Sequence, residues 1–226
     1  MGTTGGYVFV WREEGFSREE TFAALRRVLR DMSHGCQQTY EAEKALMREM
    51  VQWAGLPGEM LWESFLRTHD PAAWACWSPD ARWLAVNDNV TTEGVEQPEH
   101  ALAAAERYAK AFKAPCLVCG LYDSDYSTLA YVHPVMGFRT YRLGGRPEGY
   151  CEVCGREQRQ LPEFLCPFLT EEGEEELIAL WLERYPCEED RLARLARLLG
   201  TVLYDREREA PPAGMELLTV GPEELE

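Results

Sequence analysis

Apolar positions change their spacing along the chain, and each spacing predicts a different kind of element. Tyr7 to Trp11 is a short β-branched and aromatic run, which reads as a strand. Ser17-Arg-Glu-Glu20 has the form of a capping box, and Phe22, Leu25, Val28, Leu29 and Met32 follow it at helical spacing. A second helix is predicted over 39–54, with Ala42, Leu46, Met50 and Trp53 on one side and Gly55-Leu-Pro57-Gly58 as its stop. A shorter helix is predicted over 59–68.

The period then changes. Trp74-Ala-Cys-Trp77 and Arg82-Trp-Leu-Ala-Val86 flank Ser78-Pro-Asp-Ala81, whose turn chemistry predicts a β-hairpin. Pro98 opens a helix to about Lys113, with Ala101, Leu102, Ala105, Tyr108, Ala109 and Phe112 on its apolar side. Three more strands, over 115–122, 127–132 and 138–143, are joined by links short enough for an antiparallel meander. The last third is helical again: Leu177, Ile178, Trp181 and Leu182 mark one helix. Glu188-Glu-Asp190 begins another, with arginines at 191, 194 and 197 and Gly200 beyond. Acid first, base later and glycine last is the order that the helix dipole favours.

These elements predict an α+β fold: a mostly antiparallel sheet made of the N-terminal strand, the hairpin and the three-strand meander. Helices cover one face, and the C-terminal end is helical. Residues 1–204 read as one domain and 205–226 as a loose acidic tail, with 215–220 as an alternative edge strand. Leu25, Leu46, Leu102 and Leu117 are the expected core markers.

Charge narrows the function classes. Acidic residues outnumber basic ones 39 to 23, for a net charge of −16. Such a field repels phosphate backbones and anionic lipid, so neither nucleic acid nor a membrane surface is an expected partner. The apolar run after the N-terminus is too short for a signal peptide, and no stretch approaches the roughly 20 apolar residues of a membrane helix. The protein therefore reads as cytoplasmic, of bacterial type, with its eight cysteines as reduced thiols or metal ligands.

Two CxxCG pairs, Cys116-Leu-Val-Cys119-Gly120 and Cys151-Glu-Val-Cys154-Gly155, are the strongest chemical lead. Four such thiolates match the paired knuckles of a structural zinc ribbon, so zinc is the one cofactor candidate, with Cys116, Cys119, Cys151 and Cys154 as its ligands. The competing reading is favoured. Residues 115–122 form an unbroken apolar run, as in a fully buried central strand, and strand residues three apart point to opposite faces. No cofactor is then expected.

Asp123-Ser-Asp125 would place two carboxylates roughly 7 Å apart on extended backbone, fit for a metal or for acid/base work. The same residues are ordinary turn composition, and that reading prevails. Asn87-Asp-Asn89 carries the same two readings. Cys36 beside His34 is a weak nucleophile candidate. His133 reads as a loop residue before Pro134 rather than a ligand. Trp74, Trp77 and Trp83 are candidate ligand platforms, with core as their default role. No phosphate-cradling glycine loop, HExxH or GxSxG motif occurs.

Residues 171–190 hold nine acidic side chains and one arginine, half of the chain's net charge in twenty residues. A solvated helical face is the usual meaning. The sharper one is a docking surface for a basic protein through Glu171, Glu172, Glu174, Glu175 and Glu176, with Arg191, Arg194 and Arg197 able to fold back on it as internal ion pairs. The leading functional expectation is thus a non-enzymatic interaction protein, such as an inhibitor or immunity-like partner of a basic protein. A small zinc-stabilised module and a hydrolase-like enzyme with a carboxylate or Cys/His site are the alternatives.

Overall fold

Alternation along the first strand sends Val8 and Val10 to one side of a sheet and Phe9 to the other, and all three are buried. A computed structural model of the chain describes residues 5–31, 49, 72–88, 95, 97–123, 125–144, 163–169, 173–183, 185–203 and 210–221. Within them the strands are β1 (Gly5–Trp11), β2 (Ala73–Trp77), β3 (Trp83–Asp88), β4 (Cys116–Tyr122), β5 (Tyr126–His133), β6 (Gly137–Gly144) and β7 (Glu216–Val220). They form one sheet in the order β6-β5-β4-β1-β3-β2-β7, antiparallel at every pairing. The fold is α+β, with the hairpin (β2–β3) and the meander (β4–β5–β6) flanking a central β1.

Helix α1 (residues 18–31) starts with the expected capping box. Ser17 Oγ accepts from the Glu20 N–H at 3.1 Å, and Glu20 Oε2 accepts from the Ser17 N–H at 3.0 Å. Helix α2 (Pro98–Phe112) has proline in its first turn, where a missing N–H costs nothing, and ends on a left-handed Lys113. Both helices pack on the face that carries Val8, Val10, Cys116 and Val118, through Leu25, Leu29, Tyr108 and Phe112 among others. Leu102 is only partly buried there, because the α2 face turned to the sheet runs through its alanines.

The C-terminal helical end closes the opposite face. A 3-10 helix (Glu163–Phe168), α3 (Gly173–Leu182) and α4 (Glu188–Leu198) cover Phe9, Leu117, Cys119, Leu129 and Tyr141. The central strands are therefore buried on both sides, which is why β4 reads as a continuous apolar run. Within the expected tail, β7 pairs with β2 along its whole length and buries Leu218 and Val220, so residues 216–220 take the edge-strand alternative. The predicted helices over 39–54 and 59–68, with Leu46, lie outside the described residues. No helix among the described residues is long and apolar enough to cross a membrane.

Candidate functional site

Buried pairing between α3 and α4 determines what the C-terminal end presents. Arg191 lies beneath the α3–α4 junction, with Nε 2.9 Å from Glu188 Oε2 and both side chains almost fully buried. Its remaining N–H groups donate to the carbonyls of Leu180, Trp181 and Glu183, the last turn of α3, and its guanidinium covers the Tyr185 ring at 4.6 Å. Ser127 Oγ of β5 donates to the same Glu188 oxygen at 3.1 Å, so the pair ties both helices to the sheet. Arg194 lies further along α4 and holds Glu183 at 2.9 Å, Glu176 at 3.3 Å and the Tyr185 hydroxyl at 2.6 Å. The Tyr185 hydroxyl first, then the two carboxylates, hold its guanidinium pKa above the ordinary value.

With α4 fixed in this way, a cleft of about 660 Å³ opens where its C-terminal end faces the β2–β3 turn. The sheet side is aromatic. Phe168 of the 3-10 helix meets Trp11 at 4.7 Å between ring centroids and Trp83 edge-on at 5.4 Å. One rim is the hairpin turn, Asp80 to Arg82, and the other is Arg194, Arg197 and Leu198 of α4 with Glu176 of α3.

Both rims are held by backbone contacts. The Arg12 N–H donates to the Arg82 carbonyl at 3.0 Å, and the Trp77 indole N–H donates to the Phe16 carbonyl at 2.7 Å. Gly15, at φ +72°, lies so close to the turn that an added Cβ would stand 3.1 Å from the Ala81 carbonyl oxygen. On the far rim, Gly200 at φ +69° ends α4 in a Schellman arrangement. Its N–H donates to the Arg197 carbonyl at 3.0 Å, and the Thr201 N–H donates to the Ala196 carbonyl at 2.8 Å. The Ala196 and Arg197 carbonyls of α4 are thus already hydrogen-bonded.

The donors and acceptors of the cleft do not balance. Arg194 and Glu176 satisfy each other. The Arg82 side chain has no polar partner among the described residues, and Arg197 gives only Nε to the Ala193 carbonyl at 3.4 Å. The indole N–H of Trp83, a residue 2% exposed, is also without an acceptor there.

The residues singled out from sequence fall elsewhere, apart from Trp83, Glu176, Arg194 and Arg197. Cys116 and Cys119 lie in β4 on opposite faces, one in each half of the core, so they cannot share an ion. Burial pushes both thiols up. Cys151 and Cys154 lie outside the described residues, as do Cys36, His34, Asn89, Glu171 and Glu172. Among the described residues no group of three or more His, Cys, Asp and Glu side chains is arranged to hold a metal ion. Asp123 and Asp125 are exposed turn residues: Asp123 is left-handed at φ 46°, and the Asp125 N–H donates to the Tyr122 carbonyl at 2.9 Å.

Asn87 Nδ2 donates to the Gly6 carbonyl at 2.8 Å, and buried Asp88 accepts from the Tyr108 hydroxyl at 2.5 Å. His133 shapes the β5–β6 turn, its Nδ1 accepting from the N–H groups of Val135 and Met136 at 3.1 Å each. Of the acidic segment, Glu174 and Glu175 stand exposed in the first turn of α3, while Glu176, Glu183 and Glu188 are held by the arginines that follow them. Comparison with protein-family models, with curated proteins and with solved structures finds no match for this chain.

Proposed function

We propose that this chain is a non-enzymatic binding protein that works through the cleft between the β2–β3 turn and α4. The observation that carries the reading is the cleft itself, aromatic along its wall, charged at its rims and supplied by Arg82 and Arg197 with uncommitted donors. Its volume falls in the range of about 300–1,000 Å³ typical of ligand sites. Among the described residues, the carboxylate and thiol candidates for catalysis are committed to other work. Asp123 and Asp125 build a turn, and the thiols of Cys116 and Cys119 are held protonated inside the sheet, where they make poor nucleophiles. Cys76, Cys116 and Cys119 are buried free thiols, which suits a reducing, cytoplasmic setting.

A second reading, an inhibitor or immunity-like partner of a basic protein, rests on exposed Glu174 and Glu175 in a chain of net charge −16. It is weakened by the internal pairing of Glu176, Glu183 and Glu188.

The two readings separate in a melting experiment. Small ring compounds of either charge and none are added to the full chain and to Phe168→Ala. On the cleft reading at least one compound raises the melting temperature of the parent and loses that effect in the variant. If none does, and a basic protein binds with a salt dependence that Glu174→Gln with Glu175→Gln removes, the second reading replaces the first.

A further inference from the structure

We infer that the cleft takes a small ring-bearing anion, an aryl phosphate or aryl carboxylate, with its ring against Trp11 and Phe168 and its oxygens accepting from Arg82 and Arg197. The inference rests on the reading of the cleft as the binding surface and adds the chemistry of what enters it. Donors are in surplus there: the two guanidinium groups of Arg82 and Arg197 share the rims with a single uncommitted carboxylate, Asp80. A ligand that brings acceptors corrects the imbalance, and a ligand that brings more donors worsens it.

Guanidinium suits both anions, because its planar fork meets two oxygens of a carboxylate or phosphate at once. The tilted contact between Trp11 and Phe168 provides apolar ring area beside those donors. Two features that would oppose an anion are muted. The Arg197 and Ala196 carbonyls near the end of α4 already accept from the Gly200 and Thr201 N–H groups. The repulsion expected from a net charge of −16 is screened over about 8 Å at physiological salt, whereas contacts inside the cleft are shorter than that.

The test is titration of the full chain, followed by tryptophan fluorescence and calorimetry, with phenyl phosphate, benzoate, neutral benzamide, cationic benzylamine and inorganic phosphate. Phenyl phosphate or benzoate, whichever fits better, should bind at least about tenfold more tightly than benzamide, benzylamine or inorganic phosphate. Arg82→Gln with Arg197→Gln should erase that preference while leaving the melting temperature within about 1 °C, since both side chains are exposed. Replacing the same residues with Lys should restore part of it. Equal binding of benzamide and the anions, or an anion preference that survives the double Gln variant, overturns the inference and leaves the cleft as a binding site. If no ring compound binds, both the inference and the cleft reading fall.

Discussion

Arg191 and Glu188 lie one helical turn apart on α4, 2.9 Å between Nε and Oε2, at 5% and 2% side-chain exposure. A pair this deep adds little net stability over an apolar substitute, because both charges leave water. Its value here is positional: the guanidinium also closes the last turn of α3, and the carboxylate reaches Ser127 on β5. Loss of either partner strands the other. Arg191→Met should therefore cost about 3–5 kcal/mol in urea unfolding. Combining it with Glu188→Leu should cost less than the two single changes added together, by about 1–3 kcal/mol. Strict additivity would show that the two side chains do not act as a unit.

Burial separates two leucines that look alike in sequence. Leu117 is fully buried in β4, so Leu117→Ala should cost about 2–5 kcal/mol. Leu102 is only partly covered on α2, and Leu102→Ala should cost clearly less, about 1 kcal/mol. Chemical unfolding of the two variants measures the difference. Equal costs would contradict the placement of α2.

Cys116 and Cys119 are sealed inside the sheet, and burial keeps both thiols protonated. Neither should be alkylated by iodoacetamide in the native protein, while both should react in denaturant. Chelator should leave the melting temperature unchanged. Peptide mass spectrometry reads the first point and melting curves with chelator the second: rapid native labelling, or a metal bound through Cys116 and Cys119 together, would contradict the buried-strand geometry.

The capping box of α1 is both a stability device and a pH-dependent one. Glu20 is held below its ordinary carboxyl value, first by the Ser17 backbone N–H and then by Arg12. A depressed folded pKa means that its contribution is complete above the unfolded value of 4.5 and is lost as pH falls through the lower folded value. Ser17→Ala should cost about 0.5–2 kcal/mol at neutral pH. Glu20→Gln should flatten part of the stability loss below pH 4.5, as read from melting curves across that range. A Glu20→Gln variant that loses stability as steeply as the parent would show that the carboxylate is not coupled to the helix start.

Much of the fold was legible in the sequence because it is carried by local signals. The turn chemistry of 78–81, the proline at 98, the Ser17/Glu20 box and the apolar run at 115–122 each act within one element or between neighbours. The opposite facing of Cys116 and Cys119 follows from strand geometry alone. What was not legible is relational. That β1 lies between β3 and β4, or that α3 and α4 cover the face α1 and α2 leave open, depends on contacts between distant segments. The cleft is of that kind: Trp11, Arg82, Phe168 and Arg197 come from four elements, and no spacing rule joins them. The partial signals were Trp83, read only as one of several tryptophans, and the α4 arginines, read only as pairs for the acidic segment. Arg191 and Arg194 take that role, and Arg197 does not.

The cleft is tested most directly by following the indole N–H signals of the seven tryptophans by NMR as phenyl phosphate is added to the full chain. The Trp83 and Trp11 signals should move and saturate together, those of Trp77 and Trp181 should stay in place, and Arg82→Gln with Arg197→Gln should abolish the movement. Seven unmoved signals at saturating probe, or movement that spares both Trp83 and Trp11, would contradict binding in the cleft.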